Sequence, residues 1–325
     1  MVGAIQGGRS AVAGRGDDGH GKVPDGRTLF EIGSVTKVFT SLLLADGVVR
    51  GEWELDTPVV ELLPDVAIPQ RDGTPITLEN LATHTSGLPG FPAPLSWRGA
   101  VDVLRAGVDV LRGADPYRGL TSEVLLERVS RMQLSRTPGT GQPDYSNTGV
   151  ALLGLAMERA SGTAYDDLLR TRVSRPLGLS DTLTRRQSAA DQQARTALGC
   201  RKRGGSAAPW PLEGMQGAGA LLSTMTDLLC FLSVQLDPTG SVLEEPIRMT
   251  QQHQAVPHIG LGWLRGAKDT LWHNGGTGGF CSFVGLCPTE GMAVAVVTNQ
   301  ARDVNRPSAE LGRHLSQTAP ETDTP

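Results

Sequence analysis

Ser34 and Lys37 stand three residues apart inside an otherwise apolar segment running from Phe30 to Leu44. On a helix, positions i and i+3 are neighbours, about 5–6 Å apart at Cβ, so the Lys37 amine can reach the Ser34 hydroxyl. A serine whose proton has a local acceptor can attack a carbonyl carbon. If Ser34 opens the helix, its backbone N–H is unpaired, and the positive end of the helix dipole favours both a neutral Lys37 and a developing oxyanion. The chemistry this predicts is acyl transfer. Lysine is scarce, occurring only as Lys22, Lys37, Lys202 and Lys268. Val35, Val38, Phe39, Leu42 and Leu43 make the segment apolar on most faces, so a lysine buried there needs a reason.

Two more segments carry groups that such an enzyme needs. Tyr145-Ser146-Asn147 follows a Pro/Gly loop and precedes a helical pattern from Val150 to Ala160. A phenol at Tyr145 could share proton transfer with Lys37, and the Asn147 amide could orient the lysine and a substrate carbonyl. Taken alone, the tripeptide also reads as a solvent-facing turn in which Asn147 caps the next helix. His273-Asn274-Gly275-Gly276 opens a glycine-rich run to Gly279. Glycines weaken a strand unless a chain or ligand approaches its backbone closely. A Gly276 N–H could pair with that of Ser34 as an oxyanion hole, with His273 and Asn274 facing the substrate. An ordinary hairpin loop is the other reading of this run.

The elements that must position these groups come from both ends of the chain. Val2 to Gln6 and Ser10 to Gly14 read as strands around a Gly7-Gly8 hairpin turn, and Thr28 to Ile32 as a third. The Ser34 helix is predicted to stop at Asp46-Gly47. Residues 77 to 196 are helical in pattern, with Gly/Pro loops. Thr224 to Asp227 resembles a capping box for a helix carrying Leu228, Leu229, Phe231 and Leu232. Gly260 to Leu264, Thr270 to His273, Phe280 to Leu286 and Met292 to Thr298 suggest an antiparallel meander, and a helix from Asn305 to Ser316 closes the fold. Pro320 to Pro325 is expected to fray. The expected architecture is α/β (α+β): a discontinuous sheet domain of residues 1–76 and 206–325, with an all-helical lobe of 77–205 inserted and the active site between them.

The chain has 325 residues and a net charge of −4, with no basic run to follow a phosphate backbone, which argues against nucleic acid. No apolar stretch reaches about 18 residues, and Met1 to Gly8 lacks the basic start and apolar run of a secretory signal, so a soluble, cytoplasmic protein is expected. Cys200, Cys230, Cys281 and Cys287 show neither C-x-x-C nor zinc spacing. No metal or other cofactor is expected, and the thiols read as reduced. There is no G-x-S-x-G elbow and no H-E-x-x-H.

Ser-x-x-Lys, Tyr-Ser-Asn and His-x-Gly in this order resemble the penicillin-recognising serine hydrolases: class C β-lactamases, D-Ala-D-Ala carboxypeptidases and β-lactamase-like esterases. Supporting segments run over nearly the whole chain: Leu81 to Pro89 (LATHTSGLP), Pro138-Gly139-Thr140, Pro176 to Leu179 and Gly260 to Trp263. The resemblance implies Ser34 as the acylated nucleophile, Lys37 as proton acceptor or relay, and Tyr145 as acid/base. It implies Asn147 on the substrate amide, and the N–H groups of Ser34 and Gly276 on the oxyanion. Asn274 and Gly275 fall in the same substrate-binding run. His273 stands where many relatives carry lysine, which weakens recognition of a substrate carboxylate, and His84 reads as a structural residue at the lobe junction. The family usually places a helix ahead of its first strand, whereas this chain begins almost inside that strand. Either the start has been trimmed, or the sheet face is open to self-association, which makes a homo-oligomer an expectation.

The leading expectation is hydrolysis of a small ester or amide through a Ser34 acyl-enzyme, with a weak β-lactamase or D-peptidase activity beside it. An acyltransferase or amide synthase would use the same acyl-enzyme, water exclusion deciding between them, with residues 90–118 as a conceivable lid. A non-catalytic binding protein that keeps the fold is the third reading.

Overall fold

The computed structural model describes residues 1–93, 97–253 and 256–318. The expected fraying of Pro320 to Pro325 falls outside them. In chain order the elements are β1 (Val2–Gln6), β2 (Arg9–Ala13), β3 (Leu29–Glu31), α1 (Thr36–Val49), α2 (Val59–Leu62), α3 (Leu78–Ala82), α4 (Trp97–Arg112), α5 (Ser122–Ser130), α6 (Asn147–Ser161) and α7 (Tyr165–Leu169). Then follow β4 (Leu183–Thr184), α8 (Ala190–Ala194), α9 (Gln216–Gly219), β5 (Leu221–Thr224), α10 (Met225–Leu236), α11 (Glu244–Gln252), β6 (Leu264–Arg265), β7 (Leu271–Gly276), β8 (Cys281–Cys287), β9 (Met292–Thr298) and α12 (Asn305–Thr318).

A six-stranded antiparallel sheet runs β2-β1-β9-β8-β7-β6, so the first strands of the chain join the last. Val2 pairs with Val296 and Gln6 with Met292. Strands β8 and β9 are apolar along nearly their whole length because both faces are covered, α10 lying on one and α12 on the other. The approach of α10 is close: a Cβ at Gly3 would come within 2.5 Å of Met225 Sδ. A second sheet, β3-β5-β4, brings Leu183 of the mainly helical middle of the chain against Leu222. The fold class is therefore mixed α/β with antiparallel sheets, as expected.

Helix α1 runs through the core, buried from Thr36 to Gly47. A helix apolar all round belongs inside, which is what its sequence suggests. It departs from expectation at both ends. Its last residue is Val49, beyond Asp46-Gly47, and it begins at Thr36, because Gly33–Val35 forms a separate 3₁₀ turn. The predicted strand over Gly260 to Leu264 shortens to Leu264–Arg265. Gly262 adopts φ +72°, and a Cβ there would sit 2.7 Å from Lys37 O, so this segment turns to lie against α1 instead of extending. The meander β6 to β9, the β1–β2 hairpin and the Thr224 cap, which accepts from Asp227 N–H at 3.1 Å, match expectation.

Candidate active site

Ser34 occupies the middle of the 3₁₀ turn that joins β3 to α1. The turn is tied to the sheet by Ile32, whose N–H donates to Leu221 O and whose carbonyl accepts from Ser282 Oγ at 2.6 Å. Lys37, one turn on, is 1 % exposed. Its Nζ makes three hydrogen bonds: to Ser34 Oγ at 3.0 Å, to Asn147 Oδ1 at 2.8 Å and to Ala218 O at 2.6 Å. Burial drives its pKa down to about 7, since an ammonium loses its hydration there and no carboxylate replaces it. The amide and the main-chain carbonyl can only accept. A neutral Lys37 therefore spends its two N–H groups on them and turns its lone pair toward Ser34.

Tyr145 approaches from the opposite side, its phenol within hydrogen-bonding reach of Ser34 and Lys37 Nζ 5.0 Å from its ring centre. Tyr145 keeps 40% of its surface exposed, yet desolvation raises its pKa above the usual value near 10, against a smaller lowering by the hydrogen bond with Ser34. The ring is held by His84, centroids 4.5 Å apart, and faces His273 at 6.2 Å. Both imidazoles are buried, and their pKa values fall to about 3, mainly through burial and then through the Lys37 charge. His84 Nδ1 accepts from the Ser146 N–H at 3.2 Å, while His273 Nδ1 bonds Asn274 O at 2.6 Å. His84, read from sequence as a junction residue, thus fixes the Tyr145-Ser146 turn directly.

Ser146, not Asn147, is the helix cap: its Oγ accepts from Gly149 N–H at 2.9 Å and donates to Pro89 O at 2.8 Å. Asn147 is thereby freed to point into the cleft, its Oδ1 on Lys37 and its Nδ2 on the Tyr117 hydroxyl at 3.4 Å. On the sheet side, β7 runs against the nucleophile turn. A Cβ on Gly275 would lie 2.0 Å from Ile32 O and 2.9 Å from Ser34 N, and one on Gly33, at φ +50°, would lie 2.7 Å from Gly276 N. The glycines permit the close approach that brings the Ser34 and Gly276 amides together. Asn274 donates to Asn305 Oδ1 at 3.0 Å, linking β7 to α12.

Two cavities flank Ser34. The inner one, about 30 Å³, is bounded by Tyr117, Trp210, Leu212 and Met215 with Ala218 and Gly219. The outer cleft, about 390 Å³, is bounded by Tyr145, Asn274, Gly276, Ser282, Val304 and Asn305, and none of the residues lining it is basic. Among the described residues no group of three or more His, Cys, Asp or Glu could hold a metal ion.

Of the eight residues singled out in the sequence, Ser34, Tyr145, Asn274, Gly275 and Gly276 line the outer cleft and Asn147 the inner cavity, while Lys37 and His273 lie buried outside both linings, Lys37 bonded to Ser34 and Asn147 and His273 beside the Tyr145 ring. The sequence did not disclose Ala218, which acts through its main chain and so leaves no side-chain signature. Nor did it disclose Tyr117, which lies in the stretch read as a lid. That stretch contains helix α4. The Phe91 ring lies tilted against Tyr117 at 5.3 Å, and the indole of Trp210 meets Tyr117 edge-on at 5.7 Å.

Known proteins resemble this chain in sequence and in overall shape. D-alanyl-D-alanine-carboxypeptidase/endopeptidase AmpH of Escherichia coli is 28% identical over 300 residues, 84% of this chain and 71% of that protein. Esterase EstB of Burkholderia gladioli is 36% identical over 159 residues, 47% of this chain and 38% of its own length. An octameric penicillin-binding protein homologue from Pyrococcus abyssi superposes with a TM-score of 0.81 at 24% identity, covering all of this chain and 74% of the other. A β-lactamase/D-alanine carboxypeptidase from Yersinia pestis gives 0.79 at 23%, over 97% of this chain and 92% of that one. Residues 1–317 match the family described as Beta-lactamase, and the chain belongs to that family of serine hydrolases.

Proposed function

We propose that the protein hydrolyses small esters through an acyl-enzyme on Ser34. The observation that carries this reading is the bonding of Lys37: two of its three partners are obligate acceptors, so the neutral amine has only Ser34 left as a proton donor. Ser34 Oγ attacks the carbonyl carbon while its proton passes to Lys37 Nζ. The developing oxyanion lies between the N–H groups of Ser34 and Gly276. Tyr145, kept as a neutral phenol by its raised pKa, donates to the leaving-group oxygen and is reprotonated by way of Lys37. A water taking the leaving group's place reverses these transfers and releases the acid. Asn147 holds both Lys37 and the substrate carbonyl region, Asn274 and Gly275 line the leaving-group side, and His273, buried outside that lining, bears on it through its contact with the Tyr145 ring.

Esters are favoured over penicillins and D-Ala peptides because nothing in the outer cleft would grip a carboxylate. Its lining has no basic side chain, and His273 is neutral at any working pH. The helical stretch 77–205 is proposed as a lobe closing over the sheet domain of 1–76 and 206–325. The four cysteines are free, which fits the reducing cytoplasm. Self-association, as in the octameric Pyrococcus relative, is a further proposal, which light scattering at micromolar concentration decides.

The test compares p-nitrophenyl acetate, p-nitrophenyl butyrate and nitrocefin, with Ser34→Ala as control, following chromophore release and intact mass. Sustained ester turnover that the variant loses, with nitrocefin slow, is expected. Equal turnover in Ser34→Ala refutes the reading. A stable adduct without turnover redirects it to transfer onto an amine or alcohol.

A further inference from the structure

The two cavities beside Ser34 differ in a way that selects the acyl group. A substrate on Ser34 extends in two directions, and the leaving group must lie where Tyr145 can protonate its oxygen. Tyr145 lines the outer cleft and is absent from the inner one. The acyl chain is therefore directed into the inner pocket, alongside Asn147.

That pocket has room for little more than one water-sized group. Its walls are braced from behind. The main-chain N–H of Trp210, not its indole, donates to Glu31 Oε1 at 3.1 Å and so fixes the backbone that carries the ring, and Glu31, 4% exposed, is itself held by Arg185 at 3.1 Å. Tyr117 is clamped between the Trp210 edge and Phe91. Leu212 is buried and sits at φ +54°, a left-handed conformation that a branched residue holds only under tertiary constraint. Gly219, the near wall, already lies so close that a Cβ there would be 3.1 Å from Leu212 Cδ1. Extra methylenes must push walls that are packed or bonded on their far side, which costs more than their burial returns.

Resting on the Ser34 acyl-enzyme reading, we infer that the protein is selective for esters of acetyl-sized acyl groups, with Trp210 and Leu212 setting the limit. The alcohol half is not restricted in this way, because it lies in a cleft more than ten times larger.

The experiment measures kcat/KM for p-nitrophenyl acetate, propionate, butyrate and hexanoate on the wild-type chain, Trp210→Ala and Leu212→Ala, with intact mass on each. One methylene in a fitted pocket changes kcat/KM by about 10–200-fold. A fall of at least about tenfold from acetate to hexanoate is expected in the wild type. Trp210→Ala is expected to raise the hexanoate-to-acetate ratio by a similar factor. Wild-type rates that stay level or rise to hexanoate overturn the inference while leaving Ser34 acylation intact, as does an unchanged ratio in a folded Trp210→Ala or Leu212→Ala. Absence of an acyl adduct on Ser34 with every ester, acetate included, overturns the hydrolase reading and this inference with it. The wild-type series decides the matter even if neither variant folds.

Discussion

Lys37 Nζ lies 3.0 Å from Ser34 Oγ, and its two other hydrogen bonds go to oxygens that can only accept. Lys37→Arg keeps the charge but supplies no lone pair, because a guanidinium stays protonated at any working pH. Acylation of Ser34 by p-nitrophenyl acetate should fall by about 10²-fold or more, the scale of a lost general base. Rapid-mixing measurement of the burst phase checks this. A burst within threefold of wild type would assign the base elsewhere.

The same lysine fixes the pH dependence. Its pKa is about 7, and the neutral form is the active one. The value of kcat/KM should therefore rise with pH through about 7 to a plateau, with a slope near one below it. Tyr145 works as a protonated phenol and its pKa lies above the usual 10, so no descending limb from it should begin below pH 10. A falling limb near 8 or 9 in a titration of kcat/KM would contradict both assignments.

Neighbouring glycines in β7 should respond oppositely. Gly275→Ala would place a methyl 2.0 Å from Ile32 O and must separate β7 from the nucleophile turn. Turnover should drop by at least about 10²-fold, the cost of losing an oxyanion donor. The nearest atom to a Cβ on Gly276 is Phe280 O, at 3.8 Å, so Gly276→Ala should keep activity within about threefold. Steady-state kinetics on the folded variants tests the pair.

Ser146→Ala removes the cap of α6 and leaves Gly149 N–H and Pro89 O without their partner. Urea unfolding should show a loss of about 0.5–2 kcal/mol. Because Asn147 and Tyr145 flank the cap, kcat should fall while the protein remains folded. Unchanged stability would show that another group satisfies both bonds.

How much of this was legible in the sequence follows the range of the interactions. Ser34 and Lys37 meet through one helical turn, so their spacing is enough. Tyr145, Asn147 and the β7 glycines could be placed beside them only by resemblance, because the strands and helices that bring them together are far apart in the chain. The third acceptor on Lys37 is the main-chain carbonyl of Ala218, which any residue could supply. The role of Ser146 as cap was hidden because Asn147 is an equally good capping type. Gly260 to Leu264 carries a strand-like pattern, but what decides it is the contact of Gly262 with α1, a tertiary effect that a local pattern does not contain.

The pairing of β1 with β9 has a consequence in time as well as in space. A growing chain displays Ser34 and Lys37 early, yet Tyr145 and Ala218 come more than 100 and 180 residues after Lys37, and Gly276 later still. The sheet that carries the Gly276 amide gains its central strand only with Met292–Thr298, to which the opening strand must then return. Such distant pairings are slow, since the loop must close before any contact rewards it. Lys37 can meet Asn147 and Ala218 before that strand exists, but until it docks the β7 amide has no completed sheet to hold it beside Ser34, and an unfinished chain is expected to acylate poorly. Competence to acylate thus reports completion of the sheet, and a reactive ester becomes a clock for folding.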